Sequence, residues 1–309
     1  MADKVSVYEV ISDRIMTLLD KGVVPWRKPW TGGAAGNLPR NIKGRAYRGI
    51  NVFLLASQGY ESPYWLTYKQ AVSLGGKVTP GQKGTAVILW QPFEKDIFDE
   101  KKGKTVKKRM MTLRYYTVFN ISQTEGCKFP KAVTASLNTT PVVVDEFEAI
   151  EAADRIFEGW ENKPLVAYDG GDRAYYIPSM DEIHLPKQAQ FRGSGEYYST
   201  LFHELAHSTG HESRLARKQS NGFGTHDYGI EELVAEFTAA YLNGVAGLDA
   251  AVIENNAAYI QNWKAAIKAD PKLVITAAGQ AQKAADLILG TANAVASVEA
   301  DDEAIEQAA

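Results

Sequence analysis

The stretch Thr200 to His211 reads Thr-Leu-Phe-His-Glu-Leu-Ala-His-Ser-Thr-Gly-His, with His203-Glu204-Leu205-Ala206-His207 at its centre. On a helix, positions i and i+4 share a face, so His203 and His207 would offer two imidazole nitrogens to one metal ion. Glu204, one position on, would reach a water in the open coordination position and take its proton. Leu205 and Ala206 would turn the rest of the helix into a core. This is the H-E-x-x-H spelling of zinc hydrolases. The plain alternative is a surface helix carrying two solvated histidines.

Two histidines and a water leave a catalytic zinc one protein ligand short. His211 follows His207 by four residues, but Gly210 is a stop signal between them. The third ligand is therefore sought downstream, in Tyr228-Gly-Ile-Glu-Glu-Leu-Val-Ala-Glu-Phe-Thr-Ala-Ala-Tyr-Leu242, a helical run with an apolar stripe of Leu233, Phe237, Ala240 and Tyr241. Glu232 and Glu236 are i,i+4 neighbours, so one can bind metal while the other braces a ligand histidine from outside. The arrangement resembles gluzincins. Glu232 is the expected third ligand and Glu236 the expected brace, with Glu231 and Asp227 as alternative ligands. The ordinary reading of these carboxylates is a solvated helix face. One Zn2+ per chain is the expected cofactor, with Mn2+ or another divalent ion as the alternative. Tyr228 is a candidate oxyanion donor.

Composition narrows the rest. The hydrophobic fraction of 45% and charged fraction of 23% are those of a soluble globular protein, and 309 residues provide for two domains. The sequence contains no apolar run of the ~20 residues that span a bilayer and no signal-peptide pattern. A single cysteine, Cys127, fits a reducing, cytoplasmic setting. The net charge of −3 hides an asymmetry: residues 1–125 hold 20 Lys+Arg against 10 Asp+Glu, leaving 14 against 27 for the remainder. A basic half joined to an acidic half points to a polyanion partner for the first.

Along the basic half, residues 5–21 form an amphipathic helix stopped by Gly22. Three groups then mix rings with cations: Trp26, Arg27, Lys28 and Trp30; Arg45, Tyr47 and Arg48; and Tyr64, Trp65, Tyr68 and Lys69. Lys83 sits in a glycine-lysine turn. Such groups suit a groove for single-stranded DNA, where stacking tolerates any sequence, although most tryptophans are core anchors. Thr85 to Phe93 and Leu113 to Ile121 read as paired strands, and Lys101 to Arg109 as a mobile basic loop between them. Residues 129–144 read as a linker. Beyond it come a helix from Val143 to Trp160, a strand at Leu165, two strands between Ala174 and Pro186, and the metal helix from Tyr197 to Gly210. The glutamate helix follows, then helices over 255–269 and 273–289. Arg214, Arg217 and Lys218 are read as substrate contacts or as solubilising charges. The tail is acidic and expected to be disordered. The expected class is α+β. Residues 1–128 would form an α+β nucleic-acid-binding domain. Residues 145–292 would form a mostly helical domain with a small sheet, and 293–309 the tail.

Taken together, Gly22-Val-Val-Pro-Trp-Arg-Lys-Pro-Trp30, Tyr47-Arg-Gly-Ile-Asn51, Ser62-Pro-Tyr-Trp-Leu-Thr-Tyr-Lys-Gln70, Tyr115-Tyr-Thr-Val-Phe-Asn120, Tyr175-Tyr-Ile-Pro-Ser179, His203-Glu-Leu-Ala-His207, Thr209-Gly-His-Glu-Ser-Arg-Leu215 and Glu231-Glu-Leu-Val-Ala-Glu236 resemble the ArdC-type antirestriction proteins of conjugative plasmids and related mobile elements. The resemblance implies an N-terminal domain that binds single-stranded DNA and a C-terminal zincin-like metallopeptidase domain. It further implies protection of incoming plasmid DNA from host restriction, and it leaves open a peptide or protein substrate. No membrane partner is expected.

Overall fold

The computed structural model describes residues 6–26, 38–99, 103–138, 146–169, 171–218, 226–248 and 257–291, apart from the side chains at 99, 136–138, 146–148, 226–228 and 257–259. In chain order its elements are α1 (Val7–Asp20), β1 (Arg40–Asn41), α2 (Ile50–Ala56), β2 (Tyr64–Thr67), α3 (Tyr68–Ser73), β3 (Lys77–Val78), β4 (Thr85–Asp99), β5 (Lys104–Asn120), β6 (Thr124–Glu125) and α4 (Lys131–Asn138). There follow α5 (Glu146–Gly159), β7 (Leu165–Tyr168), β8 (Tyr175–Ile177), β9 (Glu182–Leu185), α6 (Ser194–Ser208), α7 (His226–Ala246), α8 (Ala257–Ala269) and α9 (Leu273–Ile288). The class is α+β. A four-stranded sheet in the order β1-β2-β5-β4 and a small β3-β6 pair serve the first half, and a three-stranded sheet β7-β9-β8 serves the second.

Local chemistry explains where the elements start. Ser6 opens α1 with a capping box: its hydroxyl accepts from the Glu9 N–H, and the Glu9 carboxylate accepts from the Ser6 N–H. Ile11, Ile15 and Leu19 recur at helical spacing and are buried. Thr67 and Gln70 cap α3 in the same way. Asn51 ties α2 to β4, its amide donating to the Ile88 carbonyl and accepting from the Ile88 N–H, both at 2.8 Å.

The two halves share one core. The α1 residues Ile11, Ile15 and Leu19 join Trp26, Phe53 of α2, Phe237 and Tyr241 of α7, Trp263 of α8 and the buried face of α9 in a single apolar cluster. The Ser12 hydroxyl donates to the carbonyl of Pro271 at 2.7 Å. Gly49 makes a second joint: its carbonyl accepts from the Tyr241 hydroxyl at 2.7 Å, and its N–H donates to Gln282. The backbone there, at φ 57° and ψ −144°, suits glycine alone. Arg48 beside it is ion-paired with Asp286 of α9.

Two local expectations change. The stretch expected as a linker contains α4, whose Val133 is buried in one apolar cluster with Ile42, Tyr64, Leu66 and Ile121. The strands expected over Thr85 to Phe93 and Leu113 to Ile121 extend much further. Their pairing continues rung by rung to Asp99↔Lys104, so residues 104–109 lie in β5 rather than in a basic loop. The turn at the tip has Gly103 at φ 61°.

Candidate metal centre

α6 and α7 pack side by side and carry the site between them. Leu201, Phe202, Leu205 and Ala206 bury the back of α6, and Leu233, Val234 and Phe237 bury the back of α7. Burial of this kind contributes about 1.5–3 kcal/mol per large side chain. With both backs fixed, His203 and His207 face Glu232 across the seam. One donor atom from each of the three lies within 4.8 Å of the others. The two Nε2 atoms are 3.1 Å apart. The Glu232 carboxylate oxygens stand 3.7 Å from His203 Nε2 and 3.6 Å from His207 Nε2.

These separations fit a small divalent cation. Ligand bonds of ~2.0–2.1 Å in tetrahedral array place donors ~3.3 Å apart. The donor chemistry agrees. His207 Nδ1 lies 3.4 Å from the Glu231 carboxylate, which holds a proton on that nitrogen. Nε2 then presents a lone pair to the point that the other two donors also face. Three electron-rich atoms aimed at one point need a positive charge among them. Glu204, on the same helix, is buried.

The surroundings polarise the site. Burial pulls the His207 pKa down, but the Glu231 hydrogen bond and the charges of Glu204, Glu232 and Glu231 outweigh it and raise the value to about 9. Burial pushes the Glu231 carboxyl up, while hydrogen bonds from Arg217 and His207 more than reverse this and hold it below the ordinary glutamate range. A proton and a metal therefore compete for the same imidazole.

Two arginines complete the frame. After α6 ends, a tight turn with Ala216 at φ 47° brings the chain back on itself. Arg217 Nε donates to the Glu231 carboxylate at 3.0 Å, Nη1 donates to Thr209 Oγ1 and Nη2 to the Ala206 carbonyl. Arg214 Nε donates to the Ser208 carbonyl, and its guanidinium is ion-paired with Asp181. Both arginines thus satisfy carbonyls left over at the end of the metal helix. Their expected role as substrate contacts or solubilising charges is overturned, since both side chains are buried.

The structure brings His203, His207 and Glu232 together. Glu231, an alternative ligand by sequence, faces Nδ1 of His207 and braces it, while Glu236, the expected brace, lies one turn after Glu232 on α7. Successive helical residues point about 100° apart, so neighbours can serve the metal side and the outer side of one histidine. Asp227 and Tyr228 have side chains outside the described residues. The hold of Arg217 on Glu231 was not legible in the sequence, because it spans a loop and follows no periodicity. Glu231 could have been found from its place beside Glu232.

The expected DNA-binding residues divide. Trp26 is 1% exposed, edge-on to Phe237 and Trp263, and Trp65 is 1% exposed against Tyr60. Tyr64 is buried. Tyr47 packs in the interior, its hydroxyl pKa raised far above the usual range by burial and the neighbouring Tyr116. Arg48 is held by Asp286. These five expectations are corrected: the four rings pack into apolar clusters with aliphatic neighbours, and Arg48 pairs its charge with Asp286. Tyr68, Lys69 and Lys83 are exposed and Arg45 is half-buried. Arg27, Lys28 and Trp30 lie outside the described residues.

Comparison with known proteins gives concordant results. Residues 5–119 match the profile described as the N-terminal domain of anti-restriction factor ArdC. Residues 151–280 match the zincin-like metallopeptidase profile. Two relatives from Escherichia coli named DNA primase TraC are 34% and 35% identical over 97% and 94% of this chain. The chain spans only 29% and 20% of their lengths. Protein y4eC of Sinorhizobium fredii is 32% identical over 91% of this chain and 90% of its own length. The metal-free crystal structure of antirestriction ArdC from plasmid R388 is 37% identical, with TM-score 0.72, covering 94% of this chain and 98% of that one. The Mn(II)-bound structure of the same protein is 36% identical with TM-score 0.70, covering 93% and 98%. The centre between α6 and α7 is accordingly a site for a divalent metal ion.

Proposed function

This chain belongs to the ArdC antirestriction family, and from that premise we propose that it binds single-stranded DNA through its basic half and holds zinc between α6 and α7. In this reading it protects incoming DNA from host restriction. The observation that carries the metal part is the convergence of His203 Nε2, His207 Nε2 and a Glu232 oxygen on one point. The DNA part is supported by the charge split between the halves and by relatives named as DNA primases. A peptidase activity at the same centre is the extension we favour.

When bound, a divalent ion would supply Lewis acidity and an acidified water. The chain's own residues do the rest. His203, His207 and Glu232 would hold the ion. Glu231 keeps the His207 ring in one orientation and one tautomer, and Arg217 fixes Glu231. Glu204 follows His203 directly in the helix and is the residue we assign to accept and return a proton at its carboxylate. β8 is an edge strand lying against α6, suited to pairing with an extended peptide.

A second reading is occupancy without hydrolysis. In it the centre serves structure or binding alone, since a fold can keep a metal site without its chemistry. One experiment separates the two. Conjugated DNA is scored for restriction in cells carrying the wild type or Glu204→Gln. If hydrolysis is the function, the variant binds metal normally but loses protection. If protection persists undiminished, occupancy is the function and the proton-transfer role of Glu204 is refuted.

A further inference from the structure

The β4-β5 ribbon leaves the four-stranded sheet and projects on its own. β2 pairs with β5 only at Val118, Phe119 and Asn120, whereas β4 and β5 continue to Asp99↔Lys104. From Trp90↔Leu113 outward the arm is roughly 30 Å long at ~3.4 Å per residue. Residues directly opposite in the ladder share a face, so the pairing register sorts the arm's residues into two sets.

On one face stand the rungs Trp90↔Leu113, Pro92↔Met111, Glu94↔Arg109, Asp96↔Lys107 and Phe98↔Thr105. Its two cations are matched by two carboxylates, and Lys107 and Glu94 form an ion pair at 3.3 Å. On the other face stand Leu89↔Arg114, Gln91↔Thr112, Phe93↔Met110, Lys95↔Lys108, Ile97↔Val106 and, at the tip, Asp99↔Lys104. Both acidic side chains between the base and the tip thus fall on the first face. The second places two lysines directly opposite each other, with Arg114 nearer the base. No ion pair joins Lys95, Lys108 or Arg114 to a carboxylate among the described residues.

Like charges directly opposite each other destabilise a ladder. A bound anion turns that repulsion into shared attraction. Adjacent to the lysine rung, Phe93 and Met110 form a cross-strand pair that is 40% and 37% exposed. Cations flanking an exposed ring and thioether suit a strand whose bases are free to stack, whereas bases in a duplex are already stacked.

We propose that this cationic face of the arm, with Lys95, Lys108 and Arg114 on phosphates and Phe93 under a base, is the surface that takes single-stranded nucleic acid. The inference rests on the single-stranded-DNA reading above and replaces the buried rings Trp26, Tyr64 and Trp65 as its structural basis. The opposite face also carries exposed rings, Trp90 and Phe98, but its cations are matched by Glu94 and Asp96, so it offers no net positive charge to a phosphate backbone.

The test measures binding of a labelled oligothymidylate to the full-length protein over a range of salt. Lys95→Gln/Lys108→Gln is compared with Lys107→Gln/Arg109→Gln, which removes the same charge from the other face. The first pair is expected to weaken binding about tenfold and to lower the slope of log affinity against log salt by about 1.4, the share of two phosphate contacts on a single strand. The thermal midpoint should stay constant or rise, since a repulsion has been removed. The second pair is expected to change affinity less than threefold, and Phe93→Ala to weaken binding with the salt slope intact. Equal losses from both pairs would reduce the effect to overall charge and overturn the proposal. So would unchanged binding by the first pair, or tighter binding of duplex than of single strand by the wild type. A wild type that binds no oligothymidylate even at low salt would remove the single-stranded-DNA reading itself, an outcome distinct from the others.

Discussion

Glu231 and Glu232 are chain neighbours that serve one histidine from two sides, Glu232 near Nε2 and Glu231 near Nδ1. Outer partners of this sort typically account for 10–100-fold in metal affinity. Glu231→Ala is therefore expected to weaken Mn2+ or Zn2+ binding by that order in a chelator competition, and Arg217→Met to act in the same direction through the carboxylate it holds. Unaltered affinity in Glu231→Ala would end the bracing account. The Arg214–Asp181 pair makes a prediction about acid. Burial raises the Asp181 carboxyl, but hydrogen bonds from Arg214 and Tyr176 bring it below its ordinary value of 3.8. A depressed folded-state pKa contributes stability above the unfolded value, and that contribution disappears as pH falls through the folded one. The urea midpoint of the wild type should thus decline more steeply below about pH 4 than that of Asp181→Asn, which begins lower and lacks this component. Parallel declines would show that the pair does not couple to folding.

At the scale of elements, α2 is the piece that joins the halves. Asn51 fixes it to β4, Gly49 receives Tyr241 of α7, and Arg48 meets Asp286 of α9. The Asp286 side chain is buried while that of Arg48 is 33% exposed, so solvent screens the pair in part. Arg48→Ala is expected to cost about 1–3 kcal/mol in urea unfolding, chiefly because a buried carboxylate loses its partner. A double-mutant cycle with Asp286→Ala should recover most of that loss as coupling. Additive losses would place the stabilisation elsewhere. α7 is the other shared piece. It carries Glu231 and Glu232 near its start and offers Phe237 and Tyr241 to Trp26 and Phe53 further along.

For the molecule as a whole, the two sequence-matched regions do not behave as beads on a string, because one apolar cluster runs from α1 through Trp26 and Phe53 into α7, α8 and α9. A fragment beginning at residue 145 would expose Phe237, Tyr241 and Trp263 to water. It is expected to bind a hydrophobic dye and to melt without a cooperative transition, whereas the full chain melts cooperatively. A fragment as cooperative as the full chain would show that the shared core is dispensable. Among the described residues no helix is long and apolar enough to cross a membrane. The sequence by itself determined the pieces that obey a local period. The His203–His207 spacing, the glutamate helix, the α1 stripe and the strands around Tyr175 and Ile183 were legible because each is written in residues that touch through one helix or one pleat. Tertiary structure alone decided which of two adjacent glutamates meets the metal point, that Arg217 frames it, that Trp26 and Trp65 are interior rings, and which face of a long ribbon gathers the cations. Those outcomes depend on contacts between residues far apart in the chain, and a ring or a charge carries the same local pattern whether its partner is solvent, a core or a strand of DNA.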